Sequence, residues 1–338
     1  MNATMFSGIG LTMVAGIMAG NCMLPMKFAR RWRFEHMWLV FSIVSLLILP
    51  WGLALTNVHD LLKVYRILPL GVMVGPVLFG VGWGIAQILF GISVRRLGMG
   101  VGYATIVGLG AVFGTLVPLF AGQRALVSHT AVVAILLGVV VMVGGIALTA
   151  WGGQVREHSG EREVLDIPAQ TGYLAAVLLA VLCGCMAPML NYAFAFGQGI
   201  AIEAVRLGNT PVAAAYSVWP VALFGGLIPN LGYSAYLLSR NGTWPIFRQS
   251  ASDGFWAILM GVLWMGAMSL YGVSAVYLGA LGTSIGWGLL QIFMIMTATL
   301  SGVLTGEWRR APKRAVALLA AGMTGLIGAT VLLSYGGR

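Results

Sequence analysis

Eight side chains draw attention because they are polar or aromatic yet fall inside long apolar runs, where no water satisfies an amide or an indole. Trp83 and Gln87 lie four residues apart, hence on one face of a helix, and Trp287 and Gln291 repeat that spacing. An indole with an amide one turn away offers a flat apolar surface beside a hydrogen-bonding group, the combination that a ring bearing hydroxyls requires. The same pairs also serve as glue between helices or, for Trp287, as part of an aromatic belt. Trp264 falls at the same depth as Trp83. Asn21 and Asn191 stand beside two Cys-Met-x-Pro-Met segments, residues 22–26 and 185–189. There proline removes a helix hydrogen bond and frees a carbonyl. Such breaks border pathways through a membrane, or are kinks that a neighbouring helix satisfies. Tyr271, Tyr216 and Asn230 are weaker candidates, with a structural role the stronger reading for each.

The elements that position these residues follow from composition. Of 338 residues 59% are hydrophobic and 8% charged, too few charges to clothe a water-soluble surface. Apolar stretches follow one another along nearly the whole chain, each long enough to cross a hydrocarbon core of about 30 Å. The 48 glycines would weaken soluble helices but suit membrane helices, which they let approach closely. No basic residue precedes the first apolar run, so it reads as a retained helix and not a signal peptide. Cys22, Cys183 and Cys185 lie in apolar runs without histidine nearby, which points to packing and to neither disulfides nor zinc. The pI near 10 comes from short basic clusters between spans, a topological signal and not a nucleic-acid surface.

Hydropathy, charge and Pro/Gly punctuation predict ten spans: 4–26, 36–56, 68–93, 98–121, 130–151, 171–197, 211–238, 253–277, 281–304 and 314–335. Alternate connections hold 14 Lys and Arg on one side against 5 on the other, namely Lys63, Arg66, Arg124, Arg206 and Arg338. The positive-inside rule places the basic side in the cytoplasm of a bacterial inner membrane, with both termini outside. Residues 153–170 read as a cytoplasmic linker between a five-helix unit, residues 1–152, and a second, residues 171–338. Two units of five spans enter the membrane from opposite sides, an inverted repeat. Residues 78–98 laid on 259–279 match at ten of 21 positions, Trp83 on Trp264 among them. The two proline segments match as well, as do Gly138, Gly144, Leu148, Gly152 and Gly153 with Gly322, Gly328, Leu332, Gly336 and Gly337.

The run Phe34-Glu35-His36-Met37-Trp38 leading to Ile48-Leu49-Pro50-Trp51, the stretch from Trp83-Gly84-Ile85 to Gly91, Arg96-Leu97-Gly98-Met99, and Glu307-Trp308 with its basic loop together resemble the L-rhamnose:proton symporters of the drug/metabolite transporter superfamily. The resemblance covers nearly the full chain. It implies an all-α membrane protein of ten transmembrane helices in a 5+5 inverted repeat, and proton-driven uptake of L-rhamnose or a related L- or deoxy-sugar. Members of that family carry an acid near the start of span nine, where this chain reads Leu281-Gly282-Thr283-Ser284-Ile285-Gly286-Trp287. Asn21, Trp83, Gln87, Asn191, Trp264, Tyr271, Trp287 and Gln291 become candidate sugar-binding residues.

Proton coupling calls for an ionisable group that meets both sides in turn. None of the nine acids or four histidines lies deep in a predicted span. Glu35 and Glu307 come nearest, at the cytoplasmic ends of spans two and nine; each also reads as a helix-terminal acid paired with Arg33, Arg309 or Arg310. The partners expected are a small sugar, a proton or else sodium, and the bilayer. No cofactor, metal or catalytic motif is expected, since Walker, His/Glu metal and activated Ser or Cys patterns are missing from the sequence. Exporters or exchangers of other metabolites remain open on the same scaffold.

Overall fold

Proline and glycine set the course of this chain. The computed structural model describes residues 3–123, 128–159 and 173–337. Within them the helices are α1 (Ala3–Asn21), α2 (Phe34–Ile43), α3 (Leu49–Asn57), α4 (Leu61–Ile67), α5 (Leu70–Pro118), α6 (His129–Ser159), α7 (Tyr173–Met186), α8 (Met189–Phe196), α9 (Gln198–Arg206), α10 (Pro211–Ala215), α11 (Val218–Asn241), α12 (Ala251–Leu278), α13 (Gly282–Leu304) and α14 (Lys313–Gly336). The described residues contain no strand, and nine segments among them are long and apolar enough to cross a membrane.

Several breaks have identifiable causes. Pro50 cannot donate to the carbonyl four residues back, and a π-helical turn, Val44–Ile48, separates α2 from α3 within one span. Pro25 opens a 3-10 turn, Leu24–Phe28, after α1, and Pro188 divides α7 from α8. The 54-residue apolar segment Ala251–Leu304 holds two helices, α12 and α13, joined by the 3-10 turn Gly279–Leu281, where Gly279 adopts φ 69° and ψ −138°, a region closed to other residues. α5 is helical throughout its 49 residues but not straight. Eight residues of straight helix cover about 12 Å, yet a methyl on Gly102 would lie 3.2 Å from the Val94 Cα, and the Phe90 and Tyr103 rings are 6.2 Å apart. The chain therefore reverses at the break expected between residues 93 and 98. α6 continues through residue 159, into the segment 153–170 read as a linker; the rest of that segment, with Glu161, Glu163 and Asp166, lies outside the described residues.

Connections gather alternately at two ends. At the basic end, Glu307 after α13 bonds Lys27 after α1 and Arg156 of α6, the Asp253 carboxylate at the start of α12 accepts from the backbone amides of Arg30, Arg31 and Trp32, and Asn241 and Thr243 after α11 bond Glu35. At the opposite end Asn209 and His59 exchange two hydrogen bonds of 2.7 and 3.0 Å.

Helix pairs pack α1 on α12 and α13, α7 and α8 on α5, α11 on α5, α2 on α12, and α6 on α14. Glycines permit these approaches. A methyl on Gly152 would lie 2.9 Å from the Ala315 carbonyl oxygen, and one on Gly336 would lie 3.0 Å from that of Ala131. A methyl on Gly80 would lie 2.0 Å from the Ala222 carbonyl oxygen, and one on Gly261 would lie 3.4 Å from that of Phe41. On α11, Gly225 would drive a methyl to 2.0 Å from the Val77 carbonyl oxygen, whereas Gly232 faces open space. Gly225→Ala should accordingly cost about 1–3 kcal/mol by overpacking, seen as a lower thermal midpoint in detergent, while Gly232→Ala on the same helix should leave the midpoint unchanged or raise it.

Candidate functional site

Trp83 and Trp264 meet at the heart of the bundle, stacked with ring centroids 5.3 Å apart and planes 24° apart. Both are buried, and Phe41 presents its edge to Trp264 at 6.0 Å. One face of each indole is thus covered by its partner, and Gly226 approaches Trp83. Gln87, one turn from Trp83, is half-buried, and its amide makes no hydrogen bond among the described residues. Gln291 on α13 is buried and equally uncommitted. Its near neighbours along the helix, Trp287 and Leu290, belong to the same apolar cluster as Trp83 and Trp264. Several helical hydroxyls bond back to the preceding turn, as Ser42, Ser45 and Ser234 do. Neither glutamine makes such a bond among the described residues, so both amides are available to a polar partner.

Asn191, Tyr271 and Trp287 are arranged otherwise. Pro118 has no N–H for the carbonyl of Gly114, four residues back. The Asn191 amide fills that vacancy at 2.9 Å and donates to the Thr283 carbonyl at 2.8 Å, while its oxygen accepts from the Tyr271 hydroxyl. The Trp287 indole N–H donates to the Gly110 carbonyl at 3.1 Å, with its ring against Gly114, and the Ser284 hydroxyl donates to the Thr115 carbonyl at 2.7 Å. Asn191 and Tyr271 have no exposed surface. The result is a dry clamp of α5, α8, α12 and α13, toward the end away from the basic loops. Beyond it opens a cleft of about 580 Å³ whose lining includes Phe194 and Thr283.

At the basic end, Asn21 accepts from the Ser301 hydroxyl at 2.5 Å and donates to the Ile17 carbonyl. Glu35 is buried and accepts from Asn241 and Thr243, each at 3.2 Å. The adjacent His36 is fully buried: Nδ1 accepts from the Arg33 amide and Nε2 faces the Thr243 carbonyl at 2.8 Å, so the ring bridges the start of α2 and the connection after α11. Glu307 lies at the rim. Its bond to Lys27, with Arg156 at 3.3 Å, holds its carboxyl below the ordinary range against an opposing effect of partial burial, and it stays ionised at neutral pH.

Of the residues singled out in the sequence, the structure joins Trp83 to Trp264, and Asn191 to Tyr271 with Trp287 beside them. Asn21, Glu35 and Glu307 sit apart, at the basic end. Asn230 accepts from the Trp38 indole at 2.8 Å. Asp253 was passed over, because its partners are three backbone amides that no side-chain pattern announces. Thr12 and Ser274, bonded at 2.5 Å between α1 and α12, were also missed. The Gly114/Pro118 spacing was a legible sign of a carbonyl in need of a donor. Among the described residues no three His, Cys, Asp or Glu gather as metal ligands, and the three cysteines are free.

A family model described as L-rhamnose-proton symport protein matches residues 1–337. The chain is similar to the L-rhamnose-proton symporter of Klebsiella pneumoniae subsp. pneumoniae, 28% identical with 99% of each chain covered, and to that of Cronobacter sakazakii, 29% identical with 92% of each covered. The counterpart from Salmonella dublin is 28% identical, with 97% of each chain covered.

Asn191→Ala leaves the Gly114 carbonyl and the Tyr271 hydroxyl stranded, and Tyr271→Phe strands the Asn191 oxygen. Each should lower stability by about 1–2 kcal/mol. A double-mutant cycle read from unfolding midpoints should show the two losses overlapping; simple additivity would mean that the clamp is not one unit.

Proposed function

Because the chain belongs to the L-rhamnose-proton symport protein family, we propose that it carries L-rhamnose, or a closely related L- or deoxy-sugar, into the cell with a proton. It is a multi-pass membrane transporter and not an enzyme. We place it in the bacterial inner membrane with the basic end in the cytoplasm and both termini outside, in accord with the concentration of Lys and Arg at that end.

The proposed architecture is ten spans in two inverted five-helix units of the drug/metabolite transporter type. Partner exchange supports it. Ala131, Ile135 and Gly152 precede Ala315, Leu319 and Gly336 by 184 positions each, and where Gly152 meets Ala315 and Leu319, Gly336 meets Ala131 and Ile135. Likewise Gly80 meets Ala222 where Gly261 meets Phe41, with 181 positions separating both sets. The Trp83–Trp264 stack would then lie on the axis relating the units, the place where repeat transporters hold substrate.

In this reading Gln87 and Gln291 bond the sugar hydroxyls, and the two indoles bound the chamber. The single observation that carries it is this pair of uncommitted amides in a chain matched to the family from end to end. The Asn191–Tyr271 clamp closes the outer side, and Asn21 borders the inner. Alternating access requires that clamp to part while the Lys27–Glu307–Arg156 contacts hold, and the reverse. Of the two acids, Glu35 suits proton carriage better, being buried and bonded to the connection after α11, whereas Glu307 is pinned ionised by two cations.

In proteoliposomes, labelled L-rhamnose should accumulate above equilibrium when the outside is acidic and relax to equilibrium when a protonophore is added. Glu35→Gln should abolish accumulation but keep sugar exchange, and Glu307→Gln should keep both. Uptake indifferent to the pH gradient would refute symport, and full accumulation by Glu35→Gln would remove that residue as carrier.

A further inference from the structure

The cleft beyond the clamp lies among the described residues away from Gln87 and Gln291, neither of which lines it, and its lining bears on how substrate arrives. Its lining comes from the ends of five spans: Pro118 of α5, Phe194 and Phe196 of α8, residues of α9 and α10, Ala275 of α12 and Thr283 of α13. Grooves that hold lipid chains run along the flank between two neighbouring helices. This depression is instead bounded by the ends of five spans. Its volume of about 580 Å³ falls within the roughly 300–1,000 Å³ typical of small-molecule sites.

Its chemistry is that of a site for a small, partly apolar polyol. Phe196 is 46% exposed and presents an aromatic face. Two residues on, Gln198 donates its amide N–H to the Phe194 carbonyl at 3.0 Å, while its oxygen makes no bond among the described residues. Ile202, Val205 and Pro211 supply apolar wall. The floor is the clamp itself. Thr283 lines the cleft and its carbonyl accepts from Asn191, and the Phe194 ring lies 5.9 Å from Tyr271 and 4.7 Å from Trp219. A molecule settled here would touch residues that must shift when the clamp parts.

We propose that this cleft is a second, weaker sugar site, where a deoxyhexose docks from outside while the clamp is still closed, with the Gln198 carbonyl oxygen accepting from a hydroxyl and Phe196 covering the apolar face. The inference rests on the sugar-transport reading but is separable from it. It requires binding at the outer end that survives loss of the central amides.

The test uses full-length protein in proteoliposomes, with Val205→Cys as reporter in a Gln87→Ala/Gln291→Ala background. A membrane-impermeant maleimide is applied from outside, and the same chain without Val205→Cys gives the background. L-Rhamnose at about 10 mM, ten times a dissociation constant of roughly 1 mM, should slow labelling about tenfold, and an equal concentration of mannitol should not. Adding Gln198→Ala should remove most of the protection; a second reporter, Ala214→Cys, guards against a defect peculiar to the first. Labelling indifferent to L-rhamnose at both reporters, equal protection by mannitol, or sensitivity only to lipid acyl-chain length would each overturn the proposal. Should the unaltered protein fail to transport L-rhamnose, the sugar-transport reading falls; transport without protection rejects the outer site alone.

Discussion

Lipid offers no hydrogen bonds, so every backbone group of this chain must be satisfied from within the bundle. That constraint organises what is seen here. Prolines at 25, 50, 118 and 188 interrupt the helical ladder, and each interruption requires an answer. Before Pro50 it is a π-helical turn; for the carbonyl opposite Pro118 it is the Asn191 amide. Hydroxyls such as Ser42, Ser45 and Ser234 bond the preceding turn, and glycines bring helices into close contact. Gln87 and Gln291 are long amides within the spans that make no hydrogen bond among the described residues, and in the proposed function they are where the polar ligand binds.

Charge is distributed with equal economy. The buried Asp253 is capped by three amides, and Lys27, Glu307 and Arg156 tie the connections of three spans at the basic rim. These contacts fix the basic end without setting an ion in the apolar centre. In the proposed symport, the proton acts at the helix ends, by loosening the tie of Glu35 to Asn241 and Thr243, and reaches the centre through the packing of α2 on α12.

Much of this was readable in the sequence. The apolar runs located helices long enough to cross a membrane, nine such segments among the described residues. The matching glycines at 152 and 336 were visible as a pattern because equivalent helix crossings need equally small residues. Other features were not readable. That α6 extends to residue 159 depends on Arg156 meeting Glu307 and Trp308 across the bundle. Asn191 looked like a pathway residue from its proline neighbour, yet its partners lie on three other helices. The mutual stacking of Trp83 and Trp264 covers faces that the sequence alone suggested were free.

The central claim is that the two uncommitted amides hold the substrate, and calorimetric titration of purified protein with L-rhamnose tests it most directly. Replacing either glutamine by alanine should weaken binding by about tenfold, the worth of one good hydrogen bond at about 1.4 kcal/mol, with the thermal midpoint preserved. Full affinity in the doubly substituted protein would contradict the account.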